Sequence, residues 1–133
     1  MEEWRKWEVE NVPKGEYEIM KIVQDIDGTR IEMEDDVNTI QVIYGFVLGI
    51  RIFDEGTRLK TIMETQHKHS DRGFFVNWPF YKVEDSELKK WIVEESYKIY
   101  EHHECMHIAI VTPNDVVDIL STYEPTIIVT SIT

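Results

Sequence analysis

Only one cysteine, Cys105, occurs in 133 residues, which excludes an intramolecular disulfide and leaves stability to a hydrophobic core. With four prolines and six glycines, the chain has little room for a disordered linker. No apolar run approaches the ~20 residues that cross a bilayer, and Met1-Glu2-Glu3-Trp4 is too acidic and too interrupted for a signal peptide. A cytoplasmic protein without membrane association is expected. Also missing are Gly-x-Gly-x-x-Gly, a Walker loop, Gly-x-Ser-x-Gly and His-Glu-x-x-His, so most large enzyme classes lose their support. Positive charge is scarce: 14 Lys and Arg stand against 26 Asp and Glu, for a formal net charge of -12. Such a surface repels nucleic-acid backbones and anionic membranes. It speeds encounter with a basic partner, for instance a nuclease built to hold phosphate. Solubility alone would also account for the charge.

What remains is an ordinary globular composition, 42% hydrophobic and 30% charged, on the scale of a single domain over residues 1-133. Trp4 and Trp7 fit either a helical turn or a strand, and Pro13-Lys14-Gly15 breaks the chain after them. Glu16 to Gln24 reads as a strand buried on much of both faces. Asp27-Gly28 then signals a type I′ hairpin into Ile31 to Glu34. Two more alternating strands follow, from Ile40 to Tyr44 and from Phe46 to Phe53. Gly45 and Gly49 are positioned to bend them.

Leu59, Ile62 and Met63 suggest a short helix, and Phe74 to Tyr81 a strand or extended segment, with Pro79 arguing for an edge. After Ser86, the residues Leu88, Trp91, Ile92 and Ile99 recur at helical steps, predicting a helix to Tyr100 or Glu104 with Trp91 and Ile92 in the core. Met106 to Val111 is apolar and reads as a buried strand. Thr112-Pro113-Asn114-Asp115 has the form of a helix start, predicting a brief helix through Leu120. A last strand, Ile127 to Val129 with Ile132, would close a right-handed parallel crossover. The fold expected is α+β, a curved and mainly antiparallel sheet opening with an N-terminal meander and packed with two or three helices.

All five histidines lie in two clusters, His67 with His69, and His102, His103 and His107 around Cys105. Nitrogen and sulfur ligands suit zinc, but no spacing here matches a recognised zinc pattern. Imidazolium beside Cys105 raises nucleophilic catalysis, against which stands a cysteine that merely opens a buried strand. Asp25 to Asp36 begins like a calcium loop, yet Arg30 and Asp36 occupy the places of its glycine and glutamate. Glu95 falls on the apolar stripe, where it would be paired with Arg51 or Arg58, exposed, or perturbed.

Four stretches taken together resemble a known group: Asp54-Glu55-Gly56-Thr57-Arg58-Leu59-Lys60-Thr61, Trp78-Pro79-Phe80-Tyr81-Lys82-Val83-Glu84-Asp85-Ser86, Glu94-Glu95-Ser96-Tyr97 and Asn114-Asp115-Val116-Val117-Asp118-Ile119-Leu120-Ser121. They are similar to small acidic proteins of Bacillus-like bacteria, some of which look like immunity proteins encoded beside polymorphic toxins. The resemblance runs roughly from residue 17 to 129 and brings no catalytic residue with it. It implies a non-catalytic protein that neutralises a protein partner. No cofactor is expected, and without a recognised ligand spacing around His102 to His107 no metal ligand is expected either. Trp78, Tyr81 and Glu95 are the expected partner-binding residues. The alternative is a small metal-dependent or ligand-binding enzyme centred on His102 to His107.

Overall fold

A computed structural model describes residues 2–132. Its nine strands are β1 (Glu3–Lys6), β2 (Glu18–Asp25), β3 (Gly28–Glu34), β4 (Asn38–Tyr44), β5 (Gly49–Asp54), β6 (Phe80–Glu84), β7 (Met106–Val111), β8 (Asp115–Ser121) and β9 (Thr126–Ser131). Two α-helices join them, α1 (Leu59–Lys68) and α2 (Glu87–Glu95). The class is α+β with antiparallel pairing throughout, but the strands divide between two sheets rather than forming one curved sheet. A five-stranded sheet runs β1-β6-β7-β8-β5 and a four-stranded sheet β2-β3-β4-β9.

The two sheets share a core. Ile31, Met33, Ile40, Val42 and Tyr44 of the smaller sheet pack with Phe80, Ile110, Val117 and Ile119 of the larger. Alternation along β6, β7 and β8 sends the intervening residues to the other face. There Tyr81, Val83, Ala109, Val111 and Val116 pack with Trp4, Phe74 and Ile62 of α1. The order of layers is therefore sheet, sheet, helices.

Several expectations change at turns. The β2–β3 hairpin forms with Asp25 opposite Gly28, yet of its turn residues only Gly28 has positive φ, at 122°, so it is not type I′. A Cβ on Gly28 would sit 2.2 Å from the Tyr44 carbonyl oxygen, so glycine is required there. β2 is an edge strand with no buried residue, bulged between Ile19 and Lys21. Trp4 lies on strand β1, paired with Val83. Residues 45–48 leave the smaller sheet for the larger, so β5 begins at Gly49 rather than Phe46.

Thr112 to Asp115 is a hairpin turn and not a helix start. The Thr112 N–H donates to the Asp115 carbonyl at 2.9 Å, and the Asp115 N–H donates to the Thr112 hydroxyl at 3.1 Å. Proline at a turn and proline at the first helical position look alike in sequence. The chain after it is strand β8, and β9 then pairs antiparallel with β4 in the other sheet, so there is no parallel crossover.

Helix α2 starts as expected, with the Ser86 hydroxyl accepting from the Lys89 N–H at 3.0 Å. It stops at Glu95 because Tyr97 and Lys98 adopt φ of 52° and 66°. Leu88 is buried, Ile92 is half-buried against Gly49, and Trp91 is 58% and Ile99 67% exposed. The predicted stripe is thus cut after one turn of buried contact.

Candidate functional site

The polar hinge between α2 and β7 does not gather three of its histidine and cysteine side chains into one metal-holding group among the described residues. His102 and His103 are exposed in turns, and the His103 ring leans on Tyr100, 5.1 Å between centroids. Burial pushes the half-buried Cys105 thiol above its ordinary value, opposed only by the charge of Lys89. That is the reverse of what an activated nucleophile requires. His67 and His69 lie at the far end of α1, where the His69 ring stacks on Phe74, 4.2 Å between centroids. Among the described residues no group of three His, Cys, Asp or Glu side chains is arranged to hold a metal ion.

His107 departs from its neighbours because it lies inside strand β7, facing the helix layer. There it joins a buried polar chain. Nδ1 is 2.7 Å from the Ser86 hydroxyl and Nε2 is 2.7 Å from Asp118 Oδ1. The other Asp118 oxygen accepts from Arg51 Nε at 2.7 Å and Arg58 Nη1 at 2.6 Å. The Ser86 hydroxyl, which also accepts from the Lys89 N–H, hydrogen-bonds to Nδ1, and the His107 Nε2–H donates to the carboxylate. Burial works to raise the Asp118 carboxyl. The hydrogen bond and charge of His107, followed by Arg58, outweigh it and hold the group well below the usual carboxylate range.

Serine, histidine and aspartate in a row suggest a hydrolase, but the connections are inverted relative to a catalytic triad, in which serine meets Nε2. Ser86 is also fully used: it caps α2, hydrogen-bonds to His107 and is 6% exposed. Both nitrogens of His107 are engaged, leaving no lone pair for a metal. The chain ties α2, β7, β8, β5 and the residue before α1 to one carboxylate, which is a structural task.

The surface offers a different feature, a cavity of about 260 Å³ where the segment before β6 meets α1 and the start of β2. Its walls include Trp78, Phe75, Tyr17, Ile62 and Val111, with Glu16, Glu55, Gln66 and Asn77 among its polar groups. Trp78 is held rigidly. Its Nε1 donates to the Trp7 carbonyl at 3.1 Å, and its ring meets Phe80 edge-on at 6.1 Å and 77°. Asn77 takes a left-handed φ of 58°, and its carbonyl accepts from the Gly15 N–H at 3.0 Å, joining the two sides of the cavity.

Of the three residues expected to bind a partner, only Trp78 lines this cavity. Tyr81 is fully buried and so presents no surface to a partner. Its hydroxyl lies 2.8 Å from the Trp78 carbonyl and 3.0 Å from that of Phe74, fixing the aromatic segment that forms the wall. That segment is a run of turns before β6, not a strand. Glu95 is exposed at the end of α2 and forms no ion pair among the described residues. Arg51 and Arg58, its expected partners, are taken by Asp118. The sequence signal for that role was an aspartate isolated in the apolar run Val116 to Leu120, but reading the run as a helix hid which face it occupied.

Comparison with known families, curated proteins and solved structures finds no match for this chain. No helix among the described residues is long and apolar enough to cross a membrane.

Proposed function

We propose that this chain is a non-catalytic binding protein of the immunity type, which neutralises a basic protein partner such as a toxin domain. The observation that carries this reading is the placement of the acid surplus. Of the 26 acidic residues, Asp118 is the only buried one, so the excess acts outward on whatever approaches. A field of that sign raises association rates with basic surfaces and is screened over about 8 Å at physiological ionic strength. The polar constellation that most resembles an active site is closed and satisfied, and none of its residues lines the cavity, which favours binding over catalysis.

The test is to co-express the chain with the toxin domain encoded beside it and to measure association between about 50 and 500 mM salt. Cell survival and an on-rate that falls with salt are expected. A chain that gives no protection sinks the reading.

A further inference from the structure

The cavity has a chemistry that names its occupant. Aromatic and aliphatic residues Trp78, Phe75, Tyr17 and Ile62 line it together with the acidic residues Glu16 and Glu55, and no lysine, arginine or histidine contributes to the lining. Neither carboxylate forms an ion pair among the described residues, although the chain has ion pairs elsewhere. At about 260 Å³ the space falls below the roughly 300–1,000 Å³ of small-molecule sites. It suits one long side chain whose apolar stem lies on the walls and whose cationic head meets the carboxylates.

We propose that this cavity is the anchor site for a single lysine or arginine side chain of the partner. The proposal rests on the reading of the chain as a binder of basic proteins and adds to it the place where one cation is desolvated. Tryptophan is the strongest aromatic acceptor for a cation, and guanidinium also stacks on such rings. The walls are preorganised. Trp78 is fixed by Trp7 and Phe80 as described, and Phe75 is packed edge-on against Trp4 at 6.0 Å and Tyr81 at 4.9 Å. Rigid walls spare the ordering cost that weakens association. Gly15 keeps the rim close: a Cβ there would meet Asp35 Oδ2 at 2.5 Å and the Tyr17 ring at 3.4 Å. An anion would instead face two uncompensated carboxylates.

Titrating the full chain, labelled for NMR, with N-acetyl-arginine methylamide tests the site without any partner. Saturable shifts at the Trp78 indole and at Gln66 and Asn77 are expected, with a dissociation constant on the order of 1 mM. The citrulline analogue, equal in shape but neutral, should bind about tenfold more weakly. The doubly substituted chain Glu16→Gln, Glu55→Gln changes only carboxylates without ion pairs and should lose arginine binding by a similar factor. Equal affinity for arginine and citrulline, or shifts scattered over other acidic surfaces, overturns the site. Uptake of arginine in the cavity by a chain that protects no cell keeps the site and removes the neutralising reading. Protection by the double variant with an unchanged off-rate does the opposite.

Discussion

The five-stranded sheet buries both of its faces, and the two are built on different principles. Toward the smaller sheet, Val117 and Ile119 of β8 meet an almost wholly apolar core. That core has a flaw: the Tyr44 hydroxyl is buried with no hydrogen-bond partner among the described residues. Toward the helices, the next residue along the same strand is Asp118, 0% exposed, joined to two arginines and a histidine. One face holds by area removed from water, and the other adds to its own apolar cluster a set of polar groups in which each satisfies the next. A buried charge network is vulnerable to loss of one member, because the rest are left without partners in a low dielectric. An apolar core loses stability in proportion to the atoms removed.

The largest effect should therefore follow from removing the carboxylate. Asp118→Ala is expected to cost about 3–5 kcal/mol, the range for breaking a buried pair, since Arg58 and the His107 N–H lose their acceptor. Arg51 is partly exposed and can turn to water, which limits the cost from its side. Ile119→Ala on the opposite face should cost about 2–5 kcal/mol. Urea unfolding of both variants measures the pair. The comparison breaks if Asp118→Ala is nearly neutral while Asp118→Asn is equally so.

Acid should act on one face only. The Asp118 carboxyl is lowered in the folded chain, so its contribution is complete above its unfolded pKa of about 3.9 and is lost as pH falls below that value toward the folded pKa. Between about pH 6 and pH 2 the urea midpoint of the native chain should fall more steeply than that of Asp118→Asn. Parallel pH curves would show that the network contributes nothing to acid lability.

How much of this was legible in the sequence depends on which force placed each element. Strict alternation announced β3 and β4, and Ser86 announced the start of α2, because period and capping are local. The division into two sheets was not visible, since residues 45–48 look like a bend within one strand. Strand β8 was hidden by turn chemistry at Thr112 to Asp115 that a helix start shares. With β8 misread, Asp118 could not be placed opposite His107, and the network was unreadable although its serine and histidine had been noticed. Rigid aromatics mark cores and cavity walls alike, so that of two chosen for the same reason Trp78 lines the cavity and Tyr81 belongs to the core.

The flaw in the apolar face provides a smaller test. Tyr44→Phe removes a hydroxyl that has lost its water and gained no partner, so the variant should be more stable by about 1 kcal/mol. Ring packing is otherwise retained. A loss of stability in calorimetry would mean that the hydroxyl is satisfied in solution and that both faces keep their polar groups paired.

The smallest effect is expected at Glu95, outside both faces. Its position on a helical stripe suggested a carboxylate paired with Arg51 or Arg58, exposed, or perturbed. In the structure it is the exposed last residue of α2, beside the carbonyl groups that carry the helix's partial negative charge, so the native charge is mildly unfavourable there. Glu95→Lys should stabilise the chain by about 0.3–1 kcal/mol, read as a small rise in the urea midpoint. The same substitution removes one negative charge and adds a positive one at the surface. Association with a basic partner should slow while the off-rate stays unchanged, because an exposed charge steers encounter without being desolvated in the complex. A variant that is destabilised by more than about 1 kcal/mol would restore Glu95 to the core stripe, and one whose off-rate rises steeply would make it a buried contact in the interface.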